Sequence, residues 1–534
     1  MITNIDVTSL PDVVRVITEE DSFLLSKEDN RFVGKDMEVS FAEKTDNMPV
    51  SLKSDKTPIK FIQMRWHGEF NTDCEFMGDS FERGYGDLEW RGFVPNRPYH
   101  WYFLASTKDE TQGFGVMVRP NSFAYWHVDY QGITLWLDTR CGGKGVILNN
   151  QNLELVTIVS VSTNSSSPYE FLQDFCGVMC KDPILTDKPV YGSNNWYYAY
   201  GESSHEQILR DSDLLAELTD GLENRPYMVI DDCWQPLAQT TGAAGRPYEI
   251  GNSLFPDMSG LAKEMRAKGV IPGIWVRPQR TDEIWLDKKL ICDHKGENVT
   301  LDITEPEALK LIAEDINRVT SWGYELVKFD FATVDSLGTY GDKSENIFRM
   351  DKSWAWHDRS KTNASAILDV YRTILENSNG AVIIGCNVIG HLAAGLMHMH
   401  RSGDDTSGKC WDRSMVMGIN TLAFRLAQHK KFFLIDADCV GITGEIDWKI
   451  NRKLLKLFAN SGTPLFCSID PDAIDDNVKK DVVEAFKLAS IQENVMVPLN
   501  WMDTSIPTKY LVDGEEMTFE WLQDWGMDWL TIEY

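Results

Sequence analysis

From Val190 onward the chain alternates apolar runs of strand length with longer stretches of helical period, and this rhythm restricts the possible folds most. The apolar runs fall at 190–198, 227–234, 270–277, 325–331, 381–387, 396–401, 432–436 and 464–469. Helical stretches lie between them, for instance at 305–317 and 361–377. Eight strands, each followed by a helix, are the signature of a (β/α)8 barrel. A doubly wound open sheet would need a phosphate-cradling glycine turn after an early strand, and the sequence has none. The expectation is an α/β fold with a central TIM barrel across 186–490.

The flanks read differently. Residues 1–185 alternate polar and apolar positions over short runs, as at 59–66, 101–105 and 132–137, with turn residues between them. That pattern predicts an N-terminal β-sandwich domain. A helical piece at 169–180 and a polar linker from Lys181 to Pro189 then lead into the barrel. After about Val495 short aromatic runs return, at 510–512 and 519–521, so 491–534 is expected to form a small C-terminal β-domain. At 534 residues the chain suits two or three domains.

A formal net charge of -29 excludes nucleic acid and anionic membrane surfaces as partners, since both would repel the protein. The Met1-Ile-Thr-Asn start carries no basic region followed by an apolar run, and no stretch is long and apolar enough for a membrane span. Apart from Cys176 and Cys180, the ten cysteines show no paired spacing, and several sit in expected buried strands. They read as free thiols of a cytoplasmic protein.

The chemistry gathers at strand ends. The segment Val327-Lys-Phe-Asp-Phe331 delivers a carboxylate from an apolar strand into a polar turn, with Lys328 and Asp330 on the same face. A lysine beside a carboxylate keeps the acid ionised, as a nucleophile must be near neutral pH. The run Met228-Val-Ile-Asp-Asp-Cys-Trp234 ends in two acids and a tryptophan. Arg401-Ser-Gly-Asp-Asp405 places an arginine before two more, and Phe433-Leu-Ile-Asp-Ala-Asp-Cys439 forms a fourth acidic end. Paired carboxylates suit sugar hydroxyls, and 18 tryptophans supply flat apolar faces for a ring.

These blocks resemble the signature segments of the retaining α-galactosidases of glycoside hydrolase families 27 and 36. Gly192-Ser-Asn-Asn-Trp-Tyr-Tyr-Ala-Tyr-Gly201 is similar to the clan's entry block, with serine where its first tryptophan usually stands. A large β-domain ahead of the barrel and a small one after it point to family 36. The resemblance covers about 190–470 by motif and the flanks by layout. It implies Asp330 as nucleophile, Lys328 beside it on the sugar, and Asp231 and Asp232 on the far hydroxyls. It also implies Trp196 and Trp275 as aromatic walls, with Cys386 lining the pocket and Asn387 on the loop that follows. Laying the family's spacing on Cys386, Gly395, Arg401, Gly403 and Asp405-Thr406 makes Asp405 the acid/base and Arg401 its positioning residue. Asp405 is then expected to be held protonated.

The implied activity is release of terminal α-galactosyl residues from small or oligosaccharide α-galactosides by double displacement. Two carboxyl groups suffice, so no cofactor or metal is expected. His398, His400, Asp404 and Asp405 lie close in sequence, but no third metal ligand is evident. The run Asn387-Val-Ile-Gly-His391 departs from the family, where glycine or a larger acid and then proline follow the cysteine. This departure leaves α-N-acetylgalactosaminide hydrolysis, or galactosyl transfer, as a reading within the same clan. A non-catalytic carbohydrate-binding protein is the third reading. His391, His398, His400, Asp436 and Asp438 read as structural. Families with this layout often assemble as homo-oligomers, although no segment announces an interface.

Overall fold

The computed structural model describes residues 2–42, 47–237, 245–281, 283, 285–292 and 299–527. Within it nine short strands form one parallel sheet. Their order is Leu434–Asp436, Met399–Arg401, Val382–Gly385, Leu326–Phe329, Ile271–Val276, Tyr227–Ile230, Tyr191–Asn194, Leu465–Ile469 and Cys439–Ile442. Each of the eight apolar runs contains one of these strands. The ninth, Cys439–Ile442, follows Leu434–Asp436 after only Ala437 and Asp438, yet the two lie at opposite ends of the path. Asp438 has φ 70°, and this left-handed residue breaks what would otherwise be one strand.

The strands are almost wholly buried, as parallel strands covered by helices on their faces must be. Helix Pro306–Ser321 shows how one cover forms. Proline opens it, where its missing N–H costs nothing, and Ala308, Ile312, Ile316 and Val319 fall on one buried stripe. Burying each isoleucine contributes roughly 1.5–3 kcal/mol. Helix Asn363–Glu376, capped by the Thr362 hydroxyl on Ser365 N, packs beside it.

The N-terminal residues form antiparallel β-structure, as expected, in one continuous hydrogen-bonded network of 13 strands. Its path runs from Ser22–Leu24 to Ser26–Glu28, so its two ends are separated in the chain by Leu25 alone. Long strands account for the continuity. Asn152–Thr163 pairs along both edges and carries a register shift between Glu154 and Val156, which lets the sheet bend without breaking its ladder. Helix Pro168–Met179 follows, closed at its start by a Ser167–Glu170 capping box. At the other end of the chain Met496–Pro498, Lys509–Val512 and Glu515–Thr518 make a three-stranded antiparallel sheet.

The N-terminal sheet is fastened onto the parallel-sheet region. Trp101 stacks on His391 with ring centroids 5.1 Å apart, and His391 Nε2 lies 2.8 Å from Val116 O. Gln428 donates to Tyr102 Oη, and Arg425 reaches Asp79 at 2.8 Å. All ten cysteines are free thiols. Among the described residues no helix is long and apolar enough to cross a membrane.

Candidate active site

The C-terminal ends of the parallel strands converge, and most of the residues singled out from sequence meet there. Asp231 is the most heavily bonded of them. Its Oδ2 accepts from Lys328 Nζ at 2.6 Å and from Asn194 Nδ2 at 2.6 Å, while its own N–H donates to Asn195 Oδ1 at 2.9 Å. The strands Leu326–Phe329, Tyr227–Ile230 and Tyr191–Asn194 therefore all contribute to one ion pair, and a buried charge needs such a set of partners. Asp232 follows with its carboxylate accepting from Cys233 N at 2.7 Å. Burial, helped by the charges of Asp231 and Asp330, pushes Asp232 up to about 7.

The expected pairing of Lys328 with Asp330 is not made. Both face the same side, but the ammonium turns to Asp231 on another strand. Burial opposes its charge, and the carboxylates of Asp231 and Asp330 outweigh that, holding Lys328 well above its ordinary range. Asp330 instead accepts from Trp275 Nε1 at 3.3 Å and from Phe331 N at 2.7 Å. Phe331 has φ 58° and Cys233 φ 80°, so a left-handed residue follows each of these strand-end acids and turns the chain sharply. Backbone strain of this kind costs on the order of 1–3 kcal/mol and gathers at functional positions.

Asp405 lies opposite, on the segment after Met399–Arg401. Its Oδ1 is 3.1 Å from Arg401 Nη2 and 3.8 Å from Arg83 Nη1. Burial favours the neutral acid, but Arg401, Arg83 and Lys328 together hold the carboxyl down at about 2. Without a ligand these cations favour the ionised form of Asp405, whereas a proton donor must be neutral. Its side chain keeps 39% of its surface open, so a ligand can reach it.

Cys386 is fully buried, and its Sγ accepts from Arg401 Nη1 at 3.2 Å. Burial pushes the thiol well above its usual range, so it stays neutral. Asn387 is also fully buried and donates its amide to Glu82 Oε1 at 3.0 Å, so its amide is held by a residue of the N-terminal part. Trp196, half-buried at the start of helix Trp196–Ala199, makes an edge contact with Tyr200. Arg277 is bound to Asp335 at 2.6 Å.

No family model matches the sequence. Among solved structures, the chain resembles the α-galactosidase TtGalA from Thermus thermophilus in complex with p-nitrophenyl α-D-galactopyranoside. The TM-score is 0.61 at 14% identity, covering 90% of this chain and 96% of that one. A family 36 α-galactosidase AgaA variant from Geobacillus stearothermophilus, in complex with raffinose, gives 0.61 at 15% identity over 89% and 71%. The α-galactosidase from Lactobacillus brevis gives 0.59 at 11% over 96% and 73%. The fold is that of family 36 α-galactosidases.

Sequence reasoning missed three contributors. Asp438, read as structural, accepts from Arg401 Nη2 at 2.8 Å, from Thr406 N at 2.8 Å and from the Tyr197 hydroxyl. It anchors both the arginine and the turn that carries Asp405. Tyr197 is the second contributor. Asp-x-Asp-Cys at 436–439 was the available signal for the first, and none existed for the tyrosine. The third is Arg83, which belongs to a loop of the N-terminal part, and no motif marks it. The histidines are occupied elsewhere. His398 Nδ1 accepts from Ile383 N, and His400 stacks on Phe433 with Nε2 3.3 Å from Val388 O. Among the described residues no group of three or more His, Cys, Asp or Glu side chains is arranged to hold a metal.

Proposed function

We propose that this protein is a retaining α-galactoside hydrolase with Asp330 as nucleophile and Asp405 as acid/base. One observation carries the reading. Asp330, Asp405, the Lys328–Asp231 pair and Arg401 converge at the strand ends of a fold shared with enzymes solved with α-galactosides bound. The fold supports the frame, and the carboxylates support the chemistry.

In the first step the Asp330 carboxylate attacks the anomeric carbon, the glycosidic C–O bond breaks, and the leaving oxygen takes a proton from Asp405. In the second, Asp405 takes a proton from water, the water oxygen attacks the same carbon, and the ester to Asp330 breaks. Asp405 must therefore carry a proton when the substrate is in place. Substrate hydroxyls that draw Arg83 or Arg401 away from it would raise its affinity for that proton. Asp231, Asp232 and Lys328 would bind the sugar hydroxyls and Trp196 would wall the ring, while the buried Trp275 and Cys386 would back the pocket through Asp330 and Arg401. Asn387 would act through Glu82 without touching the sugar.

We also read the nine-stranded sheet as a (β/α)8 barrel whose seventh strand is split at Ala437–Asp438. Its lower half pairs with Met399–Arg401 and its upper half with Leu465–Ile469. Three domains, at 1–185, 186–490 and 491–534, complete the layout. The test is hydrolysis of nitrophenyl α-galactoside beside nitrophenyl α-N-acetylgalactosaminide by wild type and Asp330→Ala. Galactoside release that vanishes in the variant is the expected result. Release of the N-acetylated sugar alone would replace the substrate, and no release from either would overturn the reading.

A further inference from the structure

The segment that follows strand Glu75–Asp79 leaves the N-terminal sheet and enters the candidate site. Gly84 N donates to Ser402 O at 2.8 Å and Asp404 N donates to Gly84 O at 2.8 Å, so two backbone bonds bracket the segment against the chain carrying the acids. Arg425 binds it from below, through Asp79 and the carbonyl of Glu82. Glu82 is fully buried, with Tyr85 and Asn387 donating to it. The side chain delivered by this frame is Arg83. It lies 2.6 Å from Asp404 Oδ1, 3.8 Å from Asp405 Oδ1 and 3.8 Å from Cys386 Sγ.

We propose that Arg83 is a positioning residue of the active site, supplied by the N-terminal sheet, which fixes Asp405 and governs when that carboxyl is protonated. The inference rests on the assignment of Asp405 as acid/base. Its basis is the two-sided clamp. Arg401 reaches Asp405 from the strand side, itself held by Asp438, and Arg83 reaches it from the other unit, itself held by Asp404. Asp404 is in turn fixed by Arg413 at 2.9 Å. The remaining charged or titratable groups that bear on Asp405 are Lys328, from the strand Leu326–Phe329, and the Tyr197 hydroxyl. Cations thus outnumber the neighbouring acid, and Arg83 is the cation among them that does not come from the parallel sheet. A guanidinium suits the task because one arm of its fork bonds Asp404 at 2.6 Å while the other faces Asp405 at 3.8 Å. Turnover then depends on how the N-terminal sheet is docked, because the docking sets the position of the fork.

The test reads protonation directly. Protein labelled with 13C at aspartate carboxyl carbons is titrated, with Asp405→Asn identifying the resonance, in wild type, Arg83→Met and Arg83→Lys. The expected result is a midpoint for Asp405 raised by about one pH unit or more in Arg83→Met and by less in Arg83→Lys, where the charge remains. The basic limb of kcat/KM for raffinose should move the same way. An unchanged midpoint, even with a lower Tm and a uniformly slower enzyme, would reduce Arg83 to a structural link and overturn the proposal. A shifted midpoint in a protein that cleaves no galactoside would uphold the Arg83–Asp405 coupling while removing the galactosidase reading.

Discussion

Lys328 pairs with Asp231 at 2.6 Å, across two strands, and leaves Asp330 two residues further along its own chain to a tryptophan N–H. The lysine charge is therefore shared. It satisfies one buried acid by contact and acts on Asp330 and Asp405 through the field. In the proposed nucleophilic role, a carboxylate free of a direct ion pair keeps its lone pairs available to carbon.

Removing the proposed nucleophile gives the plainest outcome. Asp330→Ala should lower kcat on nitrophenyl α-galactoside by at least ~10³-fold with little change in Tm, because its carboxylate has only two neutral donors to lose. Steady-state kinetics and a melting curve check both halves.

Lys328→Met should behave in the opposite way, as a stability variant as well as an activity variant. It strands the Asp231 carboxylate with an amide as its remaining side-chain partner, and breaking a buried pair costs on the order of 3–5 kcal/mol. Adding Asp231→Asn should recover part of the loss, and denaturant unfolding of the two single variants and the double variant measures it.

Asp232 makes stability depend on pH in an unusual direction. Its folded pKa of about 7 lies above the ordinary carboxyl value, so the folded state holds a proton that the unfolded state releases. Its contribution is fully present below about pH 4, declines as pH rises toward 7, and above that is a constant penalty of up to about 4 kcal/mol. Asp232→Asn should consequently raise Tm at pH 8 and leave it nearly unchanged at pH 4. Equal shifts at both would contradict the raised pKa.

Asp405→Asn should separate substrates by leaving group. Nitrophenyl galactoside needs little protonation, so its kcat/KM should fall only slightly, whereas raffinose should lose roughly 10²–10⁴-fold. A uniform loss would take the proton-donor role from Asp405.

Gly84 tests the bracket. A Cβ there would stand 2.9 Å from Thr421 Cγ2 and 3.1 Å from Ser402 O. Gly84→Ala should cost about 1–3 kcal/mol and slow turnover, with Thr421→Ser relieving part of the loss by deleting the crowded methyl. Activity and Tm of the two variants, alone and combined, decide it.

The acids were legible in the sequence because each ends an apolar run: Ile230 precedes Asp231, and Phe329 precedes Asp330. A period of two correctly placed Lys328 and Asp330 on one face. It could not name the lysine's partner, which depends on how Leu326–Phe329 registers against Ile271–Val276 and on what the next strand presents. Arg83 was illegible for a different reason. It meets Cys386 across 303 residues, and nothing in Ser80-Phe-Glu-Arg-Gly-Tyr85 shows a periodicity to read. The continuity of the N-terminal strands was hidden as well, since alternation reports which face is buried but not whether the ladder is interrupted.

The seam between the N-terminal sheet and the parallel sheet includes buried polar contacts: Arg425 on Asp79, Gln428 on Tyr102, His391 on Val116. A shortened gene encoding the parallel-sheet region alone would leave Arg425 and His391 facing water without these acceptors, and would carry no Arg83. Trimming to that region would therefore remove part of the proposed active site, so the N-terminal sheet belongs to the smallest unit worth expressing.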